Sequence, residues 1–530
     1  MSKEEGKRGD LEFGTVPRML ARSAERFGER SAIEDGATRF TYRELRERVL
    51  EVGASLLARG IQRGDRVAVW APNVWEWAVA ALGALHVGAV LVPMNTRYRG
   101  HEAAFILGKS RARLLFTVTG FLGTDYVSLL RESGEALPSL EGIVILRGEA
   151  PEGTVAFDAF LAEGKAVSRE AVEARGLEVQ PDDPVDILFT SGTTGQPKGV
   201  VCTHAQNLRA VGAWAEVTGL REGDRYLVVL PFFHSFGYKC GLIVCLMMGA
   251  TILPEAVFDA GVVLERIPRD RITVMPGPPA LYQSILLRPD YEDYDLSTLR
   301  LAVTGAASIP VQLVVDMREK LGFETVITGY GLTESTGVVT MCRYDDDPET
   351  IAQTSGRAIP GVEVEIHDPE GNALPPNTPG EIVVRGFNVM KGYFEAPEAT
   401  AEAIDAEGWL HTGDVGTLDE RGYIRITDRI KDMFIVGGFN AYPAEIENTL
   451  LLHPQVAEAA VIGIPDERLG EVGMAFLVPR AGETIDEASI LEFCKARLAN
   501  YKVPRRVKVV DALPRNATGK VTKFVLREMV

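Results

Sequence analysis

The sequence predicts a two-part α/β protein, with a large layered first part over residues 1–430 and a smaller α+β second part over residues 431–530. Three observations carry this. Helical and strand-like runs alternate through the first part, which argues for a layered fold with a largely parallel sheet. Three later β-runs, "RITVMPG", "LRLAVTG" and "TVITGYG", each end in glycine, where a backbone can approach a ligand at the carboxyl end of a strand. After Gly356 the texture shifts to short strands separated by turn residues, and after Arg429 it shifts again to a mixed unit of about a hundred residues.

The elements follow in chain order. Thr41 and Glu44 make a T-x-x-E capping box, and the helix it opens runs to Gly60, a natural residue for the position after a helix. "RVAVW" (66–70) is a strand. Trp77 to Thr96 carries no Asp, Glu, Lys or Arg, close to a membrane-spanning length. His86, Gly88, Pro93 and Asn95 interrupt it, so it reads as a buried helix over 74–86, a turn at Gly88 and a buried strand "AVLVP". Asn73 and Glu76 are placed as its N-cap and N3 residues. "GVEVEIHD", "GEIVVRG" and "GYIRITD" are short strands of a small β-rich unit. In the last part, Pro443 starts a helix near N1, "VAEAAVIGIPD" and "GMAFLVPR" are strands, and "DEASILEFCKARLANY" is a helix.

Bulk composition excludes several classes. The chain has 530 residues, enough for three or four packing units. A net charge of −18 argues against nucleic acid or an anionic membrane as partner. Five scattered cysteines have no metal-ligand spacing and fit a reducing compartment. The N-terminal "MSKEEGKRGD" has no apolar run of a secretory signal, and the C-terminal "REMV" is not a peroxisomal address. A cytoplasmic protein is expected.

The stretch "TSGTTGQPKGV" (190–200) has the vocabulary of a phosphate loop but fails the Walker A spacing. Counting from Gly192, the second glycine slot holds Pro197, and Gly199 follows Lys198. It also joins two strands, "DILFT" and "GVVCTH", and opens no helix. Thr190, Ser191, Gly192, Thr193, Thr194, Gly195 and Lys198 nonetheless offer backbone N–H groups, hydroxyls and a cation to an anion.

This loop together with "PFFHSFGY" (231–238), "GYGLTES" (329–335), "GWLHTGD" (408–414), "DRIKD" (428–432) and "PRNATGK" (514–520) resembles the adenylate-forming superfamily of acyl-CoA synthetases, luciferases and peptide-synthetase adenylation domains. The match spans nearly the whole chain, in order and spacing; Gln196 stands where Lys or Arg is frequent. The resemblance implies a large N-terminal adenylate-forming domain of layered α/β subdomains plus a small β-barrel, and a smaller mobile C-terminal domain. It implies ATP, Mg²⁺ and CoA as cofactors, a carboxylic acid as substrate, and an acyl-adenylate as intermediate.

Residue by residue, the resemblance makes the loop a holder of ATP phosphates. Tyr330 would stack on adenine, with Gly305, Ala306, Gly329 and Gly331 allowing close approach. Thr333 would touch phosphate and Glu334 would hold Mg²⁺. Asp414 and Arg429 would bind ribose. His234 would orient the carboxylate and gate the thiol path, and Lys520 would bridge carboxylate and α-phosphate. Lys431 would be the hinge, and Gly437 and Gly438 would leave room for pantetheine. Phe236, Tyr238 and Lys239 are candidate acyl-pocket residues, and Lys239 either reaches a polar group of the acid, snorkels outward or pairs with a carboxylate. Another acceptor (luciferase-like or carrier-protein loading) and a non-catalytic nucleotide-binding protein are the alternatives; a homodimer stays open. Within the ligases, "PFFHSFGYKCG" and "LAVTGAASIP" are most similar to bacterial enzymes for medium-chain or cyclic acids, especially actinobacterial ligases for steroid-ring indane propionates.

Overall fold

A computed structural model describes residues 7–190, 197–305, 309–429, 432–436, 439–441, 443–466, 469–498, 500–515 and 521–530. Compactness divides the chain into two units, residues 1–364 with 384–410, and residues 365–383 with 411–530. The boundary expected at 430/431 therefore falls inside the second unit, because the β-rich segments 365–383 and 411–429 cluster with the last hundred residues.

The first unit is built on largely parallel sheets with antiparallel strands at their margins, in keeping with the alternation. Among the described residues its largest sheet has nine strands; from one edge run Gly392–Tyr393, Lys198–Thr203, Pro184–Thr190, Val90–Pro93, Arg66–Trp70, Ala112–Phe121, Gly142–Arg147 and Val155–Ala156, and the ninth, Thr124–Asp125, pairs with Ala112–Phe121 off this path. Leu301–Gly305 and Thr325–Tyr330 pair in parallel in a second sheet, with Gly305 beside Gly329 in register. A third sheet contains Arg225–Val228 and Thr251–Pro254, again parallel. "RITVMPG" forms no strand of its own; Val274 alone bridges Tyr226 and Leu301, joining the two sheets.

Local chemistry explains the helix ends. The helix Tyr42–Ala58 opens with the expected box, in which Glu44 N–H donates to Thr41 Oγ1 at 3.2 Å and Thr41 N–H donates to Glu44 Oε2 at 2.8 Å. The buried helix is Trp75–His86, and its N-cap is Val74, not Asn73. Its first N–H is satisfied from another strand, by Asp35 Oδ2 at 3.1 Å from Trp75 N. Glu76 is drawn away to Arg147, at 2.6 Å. Asn73 bonds instead to the distant segment 228–232. No helix among the described residues is long and apolar enough to cross a membrane.

The β-rich stretch after Gly356 forms strands Val362–His367, Gly380–Gly386, Leu410–Leu418 and Ile424–Arg429 of one four-stranded sheet, where the resemblance implied a small barrel. The last hundred residues have a hydrophobic core of their own, including Phe434, Ile446, Leu450, Val461, Phe476, Ile490 and Leu526. Val456–Asp466 and Gly470–Pro479 form the long antiparallel hairpin at its centre.

Candidate active site

Strand Pro184–Thr190 and strand Lys198–Thr203 form an antiparallel hairpin in which Thr190 faces Lys198. The phosphate-loop candidates Ser191, Gly192, Thr193, Thr194 and Gly195 lie outside the described residues, as do Ala306, Lys431, Gly437, Gly438 and Lys520. Lys198 is partly buried, with its Nζ 4.9 Å from the ring centroid of Tyr393.

Glu334 sits in a single 3₁₀ turn, Thr333–Ser335, just beyond the strand that ends at Tyr330. Leu332 N–H donates to Ser335 Oγ at 2.9 Å across the turn, and just past it Thr336 Oγ1 donates to the distant Asn388 carbonyl at 2.7 Å. Thr336 takes a left-handed backbone, φ 57°, that a β-branched residue rarely adopts. Tyr393 Oη donates to Glu334 Oε1 at 2.9 Å. Burial, with Glu334 beside it, pushes the Tyr393 hydroxyl above its ordinary range. Lys198 and Glu334, from two motifs 136 residues apart in sequence, thus meet on one tyrosine. Sequence reasoning missed Tyr393; its only signal was a glycine–aromatic pair in the turn-rich run "VMKGYFEAPEAT".

Tyr330 is half-buried and lies one residue past Gly329. A Cβ added at Gly305 would lie 2.8 Å from the Gly329 carbonyl oxygen, and one at Gly331 would lie 2.3 Å from that of Gly337. These two glycines are thus required by neighbouring backbone, whatever else they approach.

His234 is exposed and caps the short helical turn Ser235–Gly237, its Nδ1 accepting Phe236 N–H at 3.3 Å. That contact leaves Nε2 to carry the proton in the neutral ring. The segment leading to His234 is held by Asn73. Asn73 Nδ2 donates to the Val228 and Leu230 carbonyls at 3.0 and 2.9 Å, and Oδ1 accepts Phe232 N–H at 2.7 Å. Phe236, within the same motif, is partly exposed.

Tyr238 and Lys239 depart from the pocket expectation. Both are fully buried, in a π-helical turn Tyr238–Ile243. Lys239 Nζ lies 3.5 Å from Asp186 Oδ1, and both side chains are 0% exposed. Burial opposes the ammonium, but Asp186 more than reverses this and holds Lys239 above its ordinary value. Lys239 therefore completes a buried ion pair and does not reach an acyl pocket. A lysine next to an apolar run needs a counter-charge, and strand Pro184–Thr190 supplies it two residues into its length.

In the second unit, Asp414 is buried, 4% exposed, and faces Arg429 across the antiparallel strands Leu410–Leu418 and Ile424–Arg429. The two ribose candidates are thus adjacent in register. His411 Nδ1 lies 2.9 Å from Glu381 Oε2, a contact within the sheet, as befits a structural histidine.

The AMP-binding enzyme family matches residues 20–394, and the AMP-binding enzyme C-terminal domain matches residues 445–520. The chain belongs to this family. It is an acid–thiol ligase of the AMP-forming type, using ATP and CoA. This AMP-binding enzyme is 52% identical over 517 residues to the 3-[(3aS,4S,7aS)-7a-methyl-1,5-dioxo-octahydro-1H-inden-4-yl]propanoyl:CoA ligase of Rhodococcus jostii (strain RHA1), covering 97% of this chain and 98% of the relative. It is 50% identical over 515 residues to the ligase of the same description from Mycobacterium tuberculosis (strain ATCC 25618 / H37Rv), covering 97% and 99%. Among solved structures it is similar to an anthranilate CoA ligase in complex with anthranoyl-AMP, with a TM-score of 0.85, 29% identity and 97% of each chain covered.

Proposed function

We propose that this enzyme activates a bicyclic, oxo-substituted indane propionic acid as its acyl-adenylate and transfers the acyl group to CoA in the cytoplasm. The observation that carries the reading is full-length identity of 52% and 50% to ligases of that one acid from two genera. In the first step a carboxylate oxygen attacks the α-phosphorus of ATP, the bond to the bridging oxygen breaks, and pyrophosphate leaves. In the second the CoA thiol adds to the acyl carbon, loses its proton, and AMP departs with the bonding electrons.

This chain's residues have separable tasks. Lys198 and the loop beside it hold the β- and γ-phosphates. Asp414 and Arg429 take the ribose hydroxyls and Tyr330 the adenine. His234, presented on the turn that Asn73 secures, orients the carboxylate through Nε2. Lys520 supplies a cation where charge develops on the α-phosphate. Lys431 acts as the hinge between the two steps, and Gly437 and Gly438, having no side chains, leave room for the CoA thiol in the second.

The residues also fit Mg²⁺. No group of three or more His, Cys, Asp or Glu able to hold a metal exists among the described residues. Glu334 offers a single hard carboxylate. Mg²⁺ is ordinarily held by one or two carboxylates with substrate phosphates and water. Bound there, it would neutralise charge as pyrophosphate leaves.

The test is thioester formation over a panel of acids: the dioxo-indane propionate, its deoxy analogue and straight-chain acids of equal size, with AMP, pyrophosphate and acyl-CoA measured. The indane acid should have the highest kcat/KM. A straight-chain acid matching it would refute the substrate. Adenylation without CoA transfer would refute the ligase.

A further inference from the structure

We infer that Tyr393 is a positioning residue that fixes Glu334 and Lys198 for a nucleoside triphosphate and its divalent cation. The inference rests on the function proposed above. A carboxylate that holds a cation and an ammonium that holds the same polyphosphate work against each other if they touch. Each would then cancel the charge the other presents. Tyr393 stands between them and contacts both without carrying charge.

Its hydroxyl donates to Glu334 Oε1 at 2.9 Å, and the face of its ring takes the Lys198 ammonium at 4.9 Å from the centroid. The hydroxyl uses one acceptor site of a carboxylate that has about four. The ring attracts the cation through its quadrupole and leaves its full charge for an anion.

Tyr393 can do this because its own backbone is tied to both motifs. Gly392 and Tyr393 pair with Val201 and Val200 of the hairpin arm that bears Lys198. Lys391 N–H donates to the Val201 carbonyl at 2.9 Å and Phe394 N–H to the Gly199 carbonyl at 2.7 Å. Met390 N–H donates to the Glu334 carbonyl at 2.8 Å, and Tyr393 N–H donates to Thr400 Oγ1 at 2.9 Å. The strap 388–394 is thus bonded on one side to the carboxylate's turn and on the other to the ammonium's strand.

Tyr393→Phe keeps the ring and removes the hydroxyl; Tyr393→Leu removes both. ATP binding by calorimetry, without divalent cation and across a Mg²⁺ series, separates the two contacts. Tyr393→Phe should leave metal-free ATP binding unchanged and raise the Mg²⁺ concentration needed for half-maximal binding about tenfold, as expected for a lost hydrogen bond to a charged group. Tyr393→Leu should weaken metal-free binding as well. Thioester formation from synthetic acyl-adenylate, which has no triphosphate, should be normal in both. Wild-type Mg²⁺ dependence in Tyr393→Phe would overturn the inference, and so would equal losses in the two half-reactions. Wild-type protein that neither binds ATP nor releases pyrophosphate would instead refute the proposed function, so the two failures are distinct.

Discussion

Lys239→Met should destabilise the first unit in a pH-dependent way. The substitution removes the ammonium 3.5 Å from Asp186 and leaves a carboxylate that is 0% exposed, with Asn207 Nδ2 donating to it at 2.7 Å. Breaking a buried pair from one side costs about 3–5 kcal/mol. The escape route gives the same size independently. Asp186 can stay buried by taking up a proton, which at pH 7 costs about 1.36 kcal/mol for each of the roughly 3.1 units above its ordinary pKa, or about 4 kcal/mol. At pH 5 only about 1.1 units remain, and the cost falls to about 1.5 kcal/mol. The sign follows from linkage. Burial already raises the Asp186 pKa, and losing Lys239 raises it further, so the folded variant binds a proton that the unfolded chain does not. Stability then falls as pH rises, by about 1.4 kcal/mol per unit up to the folded pKa. Urea unfolding followed by tryptophan fluorescence measures this, since all five tryptophans, at 70, 75, 77, 214 and 409, lie in the first unit. Asp186→Leu combined with Lys239→Met should recover most of the loss, because replacing both partners by apolar groups is often neutral or stabilising. A loss that is equal at pH 5 and pH 7, or a double variant as weak as the single one, would refute the reasoning.

Three further outcomes are expected. Asn73→Ala should cost about 2–4 kcal/mol by stranding two carbonyls and one N–H, and should raise KM for the acid, because the released segment carries His234; a variant with normal Tm and normal KM would remove Asn73 from this role. Burial depresses His204 to a pKa of about 3, with its Nδ1 accepting Val16 N–H. That stability is present above the unfolded pKa near 6.5 and is lost as pH falls toward about 3, so His204→Gln should flatten the acid limb by about 2 kcal/mol between pH 6.5 and 5, read from urea midpoints. Lys520→Ala should abolish pyrophosphate release while sparing thioester formation from synthetic acyl-adenylate, since it acts only in the first transition state; equal losses would make Lys520 structural.

Local patterns were legible in the sequence and long-range partners were not. The Thr41–Glu44 box depends on neighbours a few residues away, so spacing reveals it, and the glycine-ended runs 299–305 and 325–331 are visible as written. The order and wording of the motifs also sufficed for the family. Asn73 was placed as an N-cap because its position relative to Glu76 allows one; its actual partners lie more than 150 residues on, and nothing in a local window weighs them. Pairing with a carboxylate is one of three fates the sequence leaves open to Lys239, and the partner, 53 residues earlier on a strand of apolar neighbours, has no periodicity to betray it. Tyr393 escaped notice for the same reason, since it matters through Glu334 and Lys198, and is one aromatic among turn residues.

The strap 388–394 has a consequence for how the protein is made. Strand Lys198–Thr203 pairs on one side with Pro184–Thr190, which precedes it, but on the other with Gly392–Tyr393. Until the chain has grown about 190 residues further, which takes about 10–40 s at ordinary rates of synthesis, that side is an unpaired edge. Unpaired edges template wrong pairing with other chains. A fragment ending at residue 364, where the first long segment of the unit closes, would keep the edge open permanently. It should therefore aggregate, whereas a nascent chain released past residue 410 can cover it.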